Sequence, residues 1–196
     1  MSETNVLLVG VGGQGILTTS AILARSALKA GVNVVTAETH GMAQRGGSVE
    51  VHVRFGDVES PLIPFGGADI VVSLEPVEIL RYTQYLNDGT KVILNTRSII
   101  PPTVSTGIGK YPELEKIIEA VKRITEDVSV VNASDIAEKH VGTVQATNVV
   151  VIGMLAKKID LPFGFEVIQE TIKEFFPERL VEPNLRALKA GYEYWD

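Results

Sequence analysis

The feature that most constrains this chain is a glycine-spaced turn set between an apolar run and an amphipathic one. Asn5–Val9 (NVLLV) is short and almost wholly apolar, the pattern of a strand buried on both faces of a parallel sheet. Gly10–Gly15 (GVGGQG) follows at once, with Gly10, Gly12 and Gly15 in the G-x-G-x-x-G spacing. Gln14 to Lys29 then reads as a helix, with Ile16, Leu17, Leu23, Ala24, Ala27 and Leu28 as apolar or small positions and Gly31 as its stop. Asn33–Ala37 (NVVTA) is a second strand, and strands joined in this way form right-handed crossovers. Glycines in such a turn let backbone N–H groups approach an anion, and the helix starting there adds a partial positive charge. Gly10, Gly12, Gly13, Gln14 and Gly15 are therefore anion-binding candidates. The plainer alternative is that the glycines only let helix and strand pack closely, and spacing alone does not choose between the two. A dinucleotide site also wants an acid ending the second strand. Glu38 stands there, but it leads into a polar loop instead of a second crossover helix, which counts against a conventional nicotinamide site.

The rest of the chain alternates in the same manner. Ser48–Phe55 (SVEVHVRF) places Val49, Val51, Val53 and Phe55 on one face and Glu50, His52 and Arg54 on the other, the pattern of a half-exposed strand. Gly56-Asp57 is a turn signal, after which Val58–Ile63 returns as a hairpin partner. Asp69–Ser73, Lys91–Asn95 and Val128–Val131 read as further strands. Helices are expected from Pro76 to about Leu86, through Leu114, Ile117, Ile118, Val121 and Ile124, and over Asp135–His140 with Ser134 as cap. Ile100–Gly109 is a connection rich in Pro, Gly, Ser and Thr. Gln145–Lys158 reads as helix in spite of its β-branched Val149–Ile152, and it is apolar nearly all round, so it must be buried on several sides. Ile168, Ile172, Phe175 and Phe176 mark another helical face. Leu185, Leu188, Tyr192 and Trp195 mark the last, with Pro183 near its first turn. The expected fold is α/β: a mostly parallel sheet with helices on both faces, Rossmann-like in its N-terminal half, with a hairpin at one edge. At 196 residues the chain is expected to form a single domain over 1–196.

Composition removes several function classes. The net charge is −6 and no Lys/Arg-rich stretch occurs, so no phosphate backbone would be attracted and no nucleic acid is expected as partner. Cysteine is absent, which removes disulfides, thiolate metal ligands and a Cys nucleophile together and fits a cytoplasmic location. Met1 to Val11 lacks the form of a signal peptide, and the apolar stretch Val149–Ala156 is too short for a bilayer. The histidines His40, His52 and His140 have no metal-binding spacing, and His52 is expected to face solvent. Glu75 and Glu78 read as a solvated first helical turn, favoured by the helix dipole. Ser48 and Ser73 have no evident base partner. Asn148, set among apolar residues, needs hydrogen-bond partners and is expected to fix the Gly10–Gly15 loop or an interface.

Glu38–Gly47 (ETHGMAQRGG) is polar, glycine-rich and without period. Taken with the first loop it is far more specific than either loop alone. Gly13 makes the first loop G-x-G-G-x-G, which is also similar to ubiquitin-activating-enzyme-like adenylating proteins, but their downstream Arg and Lys set is not found here. The order glycine loop, helix, strand, Glu38-x-x-Gly41, then Gln44-Arg45-Gly46-Gly47 entering an alternating strand resembles the γ domain of 2-oxoacid:ferredoxin oxidoreductases. THGMAQRGG is similar to the indolepyruvate branch in particular. The resemblance extends over most of the chain, to Asn148 with Gly153 and to the ending Asn184–Gly191. It implies a small subunit that supports CoA-dependent oxidative decarboxylation of a 2-oxoacid with reduction of ferredoxin. It further implies a large α subunit holding thiamine diphosphate, Mg2+ and Fe–S clusters, with an α2β2 assembly. No cofactor is expected on this chain. Fe–S clusters need Cys thiolates, and Gly56-Asp57-Val58 and Asp88-Gly89 do not supply the G-D-G stretch expected around bound diphosphate.

Under that resemblance Glu38, Gly41, Gln44, Arg45, Gly46, Gly47 and Asn148 are candidates for an interface or active-site edge. The planar Arg45 guanidinium suits a carboxylate or phosphate; the alternative is that it bridges two loops within the chain. Without its partner the chain would expose apolar surface that can drive homodimers. The competing readings are a γ subunit for another 2-oxoacid (pyruvate, 2-oxoglutarate or 2-oxoisovalerate), a stand-alone NAD(P)-dependent oxidoreductase, and a nucleotide-sensing or scaffold module.

Overall fold

The computed structural model describes residues 3–41 and 46–195. Strands β1 (Thr4–Val11), β2 (Val34–His40), β3 (Ser48–Phe55), β4 (Ile70–Ser73), β5 (Lys91–Asn95) and β6 (Val128–Val131) form one sheet in the order β2-β3-β1-β4-β5-β6. The run β1-β4-β5-β6 is parallel, with Leu8 opposite Val72 and Val72 opposite Ile93. β3 runs antiparallel to both of its neighbours, with Val51 opposite Leu8 on one side and Glu38 on the other.

Helices cover both faces. Alternate residues of β1 point opposite ways, so Val6 and Leu8 join one cluster and Leu7 and Val9 the other. The first cluster packs against α1 (Ile16–Lys29), α4 (Ala133–Val141), α5 (Thr147–Lys158), α6 (Phe165–Phe175) and α7 (Glu178–Tyr192). The second packs against α3 (Leu114–Lys122) and two 3-10 turns, Pro76–Arg81 and Thr83–Tyr85. A short α2 (Pro102–Ser105) interrupts the connection that follows β5. Every residue of α5 from Asn148 to Leu155 is buried, which meets the expectation for a helix apolar all round. Its closest neighbour is α7: a Cβ on Gly153 would stand 2.1 Å from the Leu188 carbonyl oxygen, and one on Gly191 would stand 1.9 Å from that of Val150. Two glycines at one crossing bring the helix backbones into direct contact.

Several expectations need correction. The hairpin partner of β3 is β2, while Val58–Ile63 forms no strand. The polar face of β3 is not half-exposed, because His52 and Arg54 are buried. The Arg54 guanidinium donates to Asn5 Oδ1 at 2.8 Å, the Ser60 carbonyl at 2.8 Å and Glu3 Oε2 at 2.8 Å. It thereby draws the 58–63 segment over the sheet, and a strand read as solvated becomes interior. His52 Nδ1 accepts the Ile63 N–H at 3.1 Å, which leaves Nε2 to donate to Glu50 Oε1 at 2.8 Å. The expected helix after Pro76 is the pair of 3-10 turns. Asn132, not Ser134, caps α4, its Oδ1 accepting the Asp135 N–H. Pro183 lies inside α7, which begins at Glu178.

Candidate functional site

The chain leaves β1 toward the α1 face and leaves β4 toward the opposite face, so the crevice outside these two strand ends is a topological switch point. Ligand sites of open α/β sheets lie at such crevices. Here a cleft of about 360 Å³ opens, lined in part by Gly13, Gln14, Leu74, Arg97, Ser98 and Gln145.

The glycine loop is held in shape from within. Gln14 Oε1 accepts the Val11 N–H at 2.9 Å and its Nε2 donates to the Leu74 carbonyl at 2.8 Å. The side chain needs the space beside Gly10, where a Cβ would stand 2.6 Å from Oε1. Both ends of the Gln14 amide are thus engaged by backbone groups. Gly15 sits at φ +77° as the N-cap of α1, and a Cβ there would meet Asn148 Nδ2 at 2.7 Å. Asn148 Nδ2 donates to the Gly15 carbonyl at 3.3 Å, so α5 braces the loop. No side chain caps α1, and its first turn carries no acid, so the positive end of the helix faces the crevice without a counter-charge.

A belt of amides extends the site across the parallel strands. Asn95, at the end of β5, donates from Nδ2 to the same Leu74 carbonyl at 2.9 Å and accepts the Ala133 N–H on Oδ1 at 3.0 Å. The ends of β1, β4, β5 and β6 are thereby tied in sequence. Asn95 was not among the expected site residues; its place at the carboxyl end of a buried parallel strand was the signal for it.

The second loop joins the first through its backbone. Gly12 N–H donates to the Gly47 carbonyl at 2.8 Å and Gly46 N–H donates to the Gly12 carbonyl at 3.2 Å. Gly41 is exposed, and its N–H donates to the Ser48 carbonyl at 3.3 Å. Gln44 and Arg45 lie outside the described residues. Glu38 is exposed on β2 and accepts a hydrogen bond from Ser20 Oγ at 3.4 Å, on the flank of α1 and not in the cleft. The geometry therefore brings Gly12, Gly46 and Gly47 together and sets Asn148 behind Gly15, with Glu38 apart.

Behind this site lies a polar layer that sequence reasoning placed in solvent. Glu75 and Glu78 are buried. Glu78 accepts from Ser48 Oγ, which also contacts the Tyr82 hydroxyl at 2.8 Å, and from Arg81 Nε at 3.2 Å. Burial pushes the Tyr82 hydroxyl above the usual tyrosine range. Burial first, and then the hydrogen bond to Glu75, push that of Tyr111 further still. Among the described residues no group of three or more His, Asp or Glu side chains could hold a metal ion, and the sequence has no cysteine. Without thiolates the chain does not fit an Fe–S cluster.

Residues 5–194 match the family described as pyruvate ferredoxin/flavodoxin oxidoreductase. The chain is 62% identical to the indolepyruvate oxidoreductase subunit IorB of Archaeoglobus fulgidus, over 96% of this chain and 93% of that one. It is 43% identical to the subunit of the same name from Thermococcus kodakarensis, over 97% and 95%. Its fold is similar to the crystal structure of a keto/oxoacid ferredoxin oxidoreductase γ subunit from Geobacter sulfurreducens, with a TM-score of 0.71, 20% identity, and coverage of 97% and 96%.

Proposed function

The chain belongs to the pyruvate ferredoxin/flavodoxin oxidoreductase family, and on that premise we propose that it is the small subunit of an indolepyruvate (arylpyruvate):ferredoxin oxidoreductase. The enzyme converts the 2-oxoacid and CoA to an aryl-acetyl-CoA thioester and CO2, releasing one proton, and two electrons pass to ferredoxin. The observation that carries the reading is the 62% identity to an indolepyruvate oxidoreductase subunit, sustained over nearly the whole of both chains. The chain has no thiolates for Fe–S clusters, and in this reading thiamine diphosphate with Mg2+ lies outside it as well. A large α subunit holds them, and the chain acts as one γ-type unit over residues 1–196 within an α2β2 enzyme of the cytoplasm. Among the described residues no helix is long and apolar enough to cross a membrane.

Within that enzyme, the Gly10–Gly15 loop and Gly46-Gly47, which are bonded to it, face the large subunit beside its active site. Gln44, Arg45 and the Gly46-Gly47 backbone contact it there, and Arg45 helps orient the anionic substrate or CoA. A permanently charged guanidinium with a planar fork matches either group. The test is to isolate the native complex and measure ferredoxin reduction with indolepyruvate against pyruvate. Co-purification with a large subunit containing thiamine diphosphate and Fe–S clusters, and faster turnover of indolepyruvate, are expected. A preference for pyruvate would shift the chain to another branch of the family, and redox turnover by the isolated chain would overturn the subunit role. Arg45→Ala is expected to leave assembly intact and to lower kcat/KM by about tenfold or more, equivalent to roughly 1.4 kcal/mol of transition-state stabilisation. Unchanged kinetics would remove Arg45 from the site.

A further inference from the structure

We infer that Glu75 is a positioning residue of the cleft: its carboxylate holds the connection from Arg97 to Tyr111 so that Arg97, Ser98 and Ile99 form the cleft wall. The inference rests on the proposed function, because it takes the cleft to be used when the assembled enzyme turns over.

Glu75 has no solvent exposure, and its two oxygens serve different parts of the chain. Oε2 accepts the N–H groups of Val77 at 2.8 Å and Glu78 at 3.3 Å, capping the 3-10 turn that follows β4. Capping alone needs only that oxygen and is ordinarily done by a shorter side chain at the surface. Oε1 reaches elsewhere: it accepts the Ile99 N–H at 3.1 Å and the Tyr111 hydroxyl at 2.5 Å. Both donors belong to the connection that leaves β5. Within that connection the backbone bonds are local, Ser105 and Thr106 N–H donating to Pro101 and Pro102, and Ile108 and Gly109 to Thr103. Ile99, Ile100 and Ile108 are exposed, so their burial does not fasten the segment. The Glu75 carboxylate does, at residue 99, two residues from the Arg97 side chain that lines the cleft. Glu75 itself does not line it; it acts through the segment it holds.

The test uses the assembled complex. Glu75→Gln preserves size but turns one acceptor into a donor. The Val77 and Glu78 N–H groups both need an oxygen, whereas the Tyr111 hydroxyl can accept as well as donate, so the new NH2 settles toward Tyr111 and the Ile99 tether is lost. Amide hydrogen exchange at residues 98–100 is expected to accelerate by about tenfold or more. KM for the 2-oxoacid or for CoA is expected to rise about fivefold with kcat within about twofold of wild type. Tyr111→Phe removes one donor without placing a mismatched group in the interior, and is expected to shift the same quantities less. In an Arg97→Ala background, Glu75→Gln raises KM no further. Faster exchange with unchanged KM would overturn the inference, as would equal KM increases with and without Arg97, since either makes Glu75 a structural tether only. Failure of the wild-type complex to reduce ferredoxin with a 2-oxoacid would count against the proposed function and take the positioning role with it. The exchange measurement separates that outcome from a failure of the tether.

Discussion

Gln14 closes the glycine loop with the two ends of a single amide, one on Val11 and one on Leu74. Gln14→Leu keeps the bulk, removes both bonds and leaves the Val11 N–H without that acceptor, so a loss of roughly 1–3 kcal/mol is expected. Urea unfolding checks it, and an unchanged midpoint would mean the loop holds itself. Gly15→Ala should cost more than Gly13→Ala. Both positions have positive φ, but Asn148 fills the space beside Gly15 and nothing lies within 4 Å of a Cβ at Gly13. The strain at positive φ costs about 1 kcal/mol at either place, with the clash added at Gly15. Equal losses in paired melts would refute the bracing role of Asn148. The glycines were legible from spacing, and so was the need of Asn148 for a partner. The role of Gln14 was not, because its second partner, the Leu74 carbonyl, lies 60 residues away. Glu75 was read as solvated for the same reason: the donors Ile99 and Tyr111 that make its burial tolerable belong to a distant connection.

At the scale of elements, the parallel strands and most helices could be placed from apolar periodicity, because each buries a face that the sequence repeats. The polar face of β3 misled that reasoning. Glu50, His52 and Arg54 alternate with valines as exposed residues would, yet Arg54 is satisfied by four acceptors on other segments. Burial of a charge with full hydrogen bonding is a tertiary event, and periodicity carries no trace of it. The crossing of α5 and α7 gives a sharper prediction. A methyl group on Gly191 would meet the Val150 carbonyl oxygen at 1.9 Å, and backbone cannot rotate away as a side chain can. Gly191→Ala is expected to cost about 3 kcal/mol or more, at the upper end of overpacking effects. A melting temperature within a few degrees of wild type would show that the helices can separate without loss.

For the whole molecule, a partner that binds only the folded chain raises its stability by mass action, by about 2.7 kcal/mol at a free concentration one hundred times Kd. Addition of the large subunit is therefore expected to raise the melting temperature of this chain in a concentration-dependent way; no rise at saturating partner would contradict a subunit role. The sheet order also bears on dinucleotide binding. Adjacent strands are about 4.8 Å apart, and the insertion of β3 puts β2 two intervals from β1, so the edge strand stands roughly 10 Å away where a dinucleotide fold would hold it at half that. Glu38, on β2, therefore stands one strand farther from the glycine turn than the ribose-binding acid of a dinucleotide fold would. Calorimetric titration with NADH or NADPH is accordingly expected to show no saturable submillimolar binding. One antiparallel strand set between β1 and β2 thus separates the glycine turn from the acid that a dinucleotide site would pair with it.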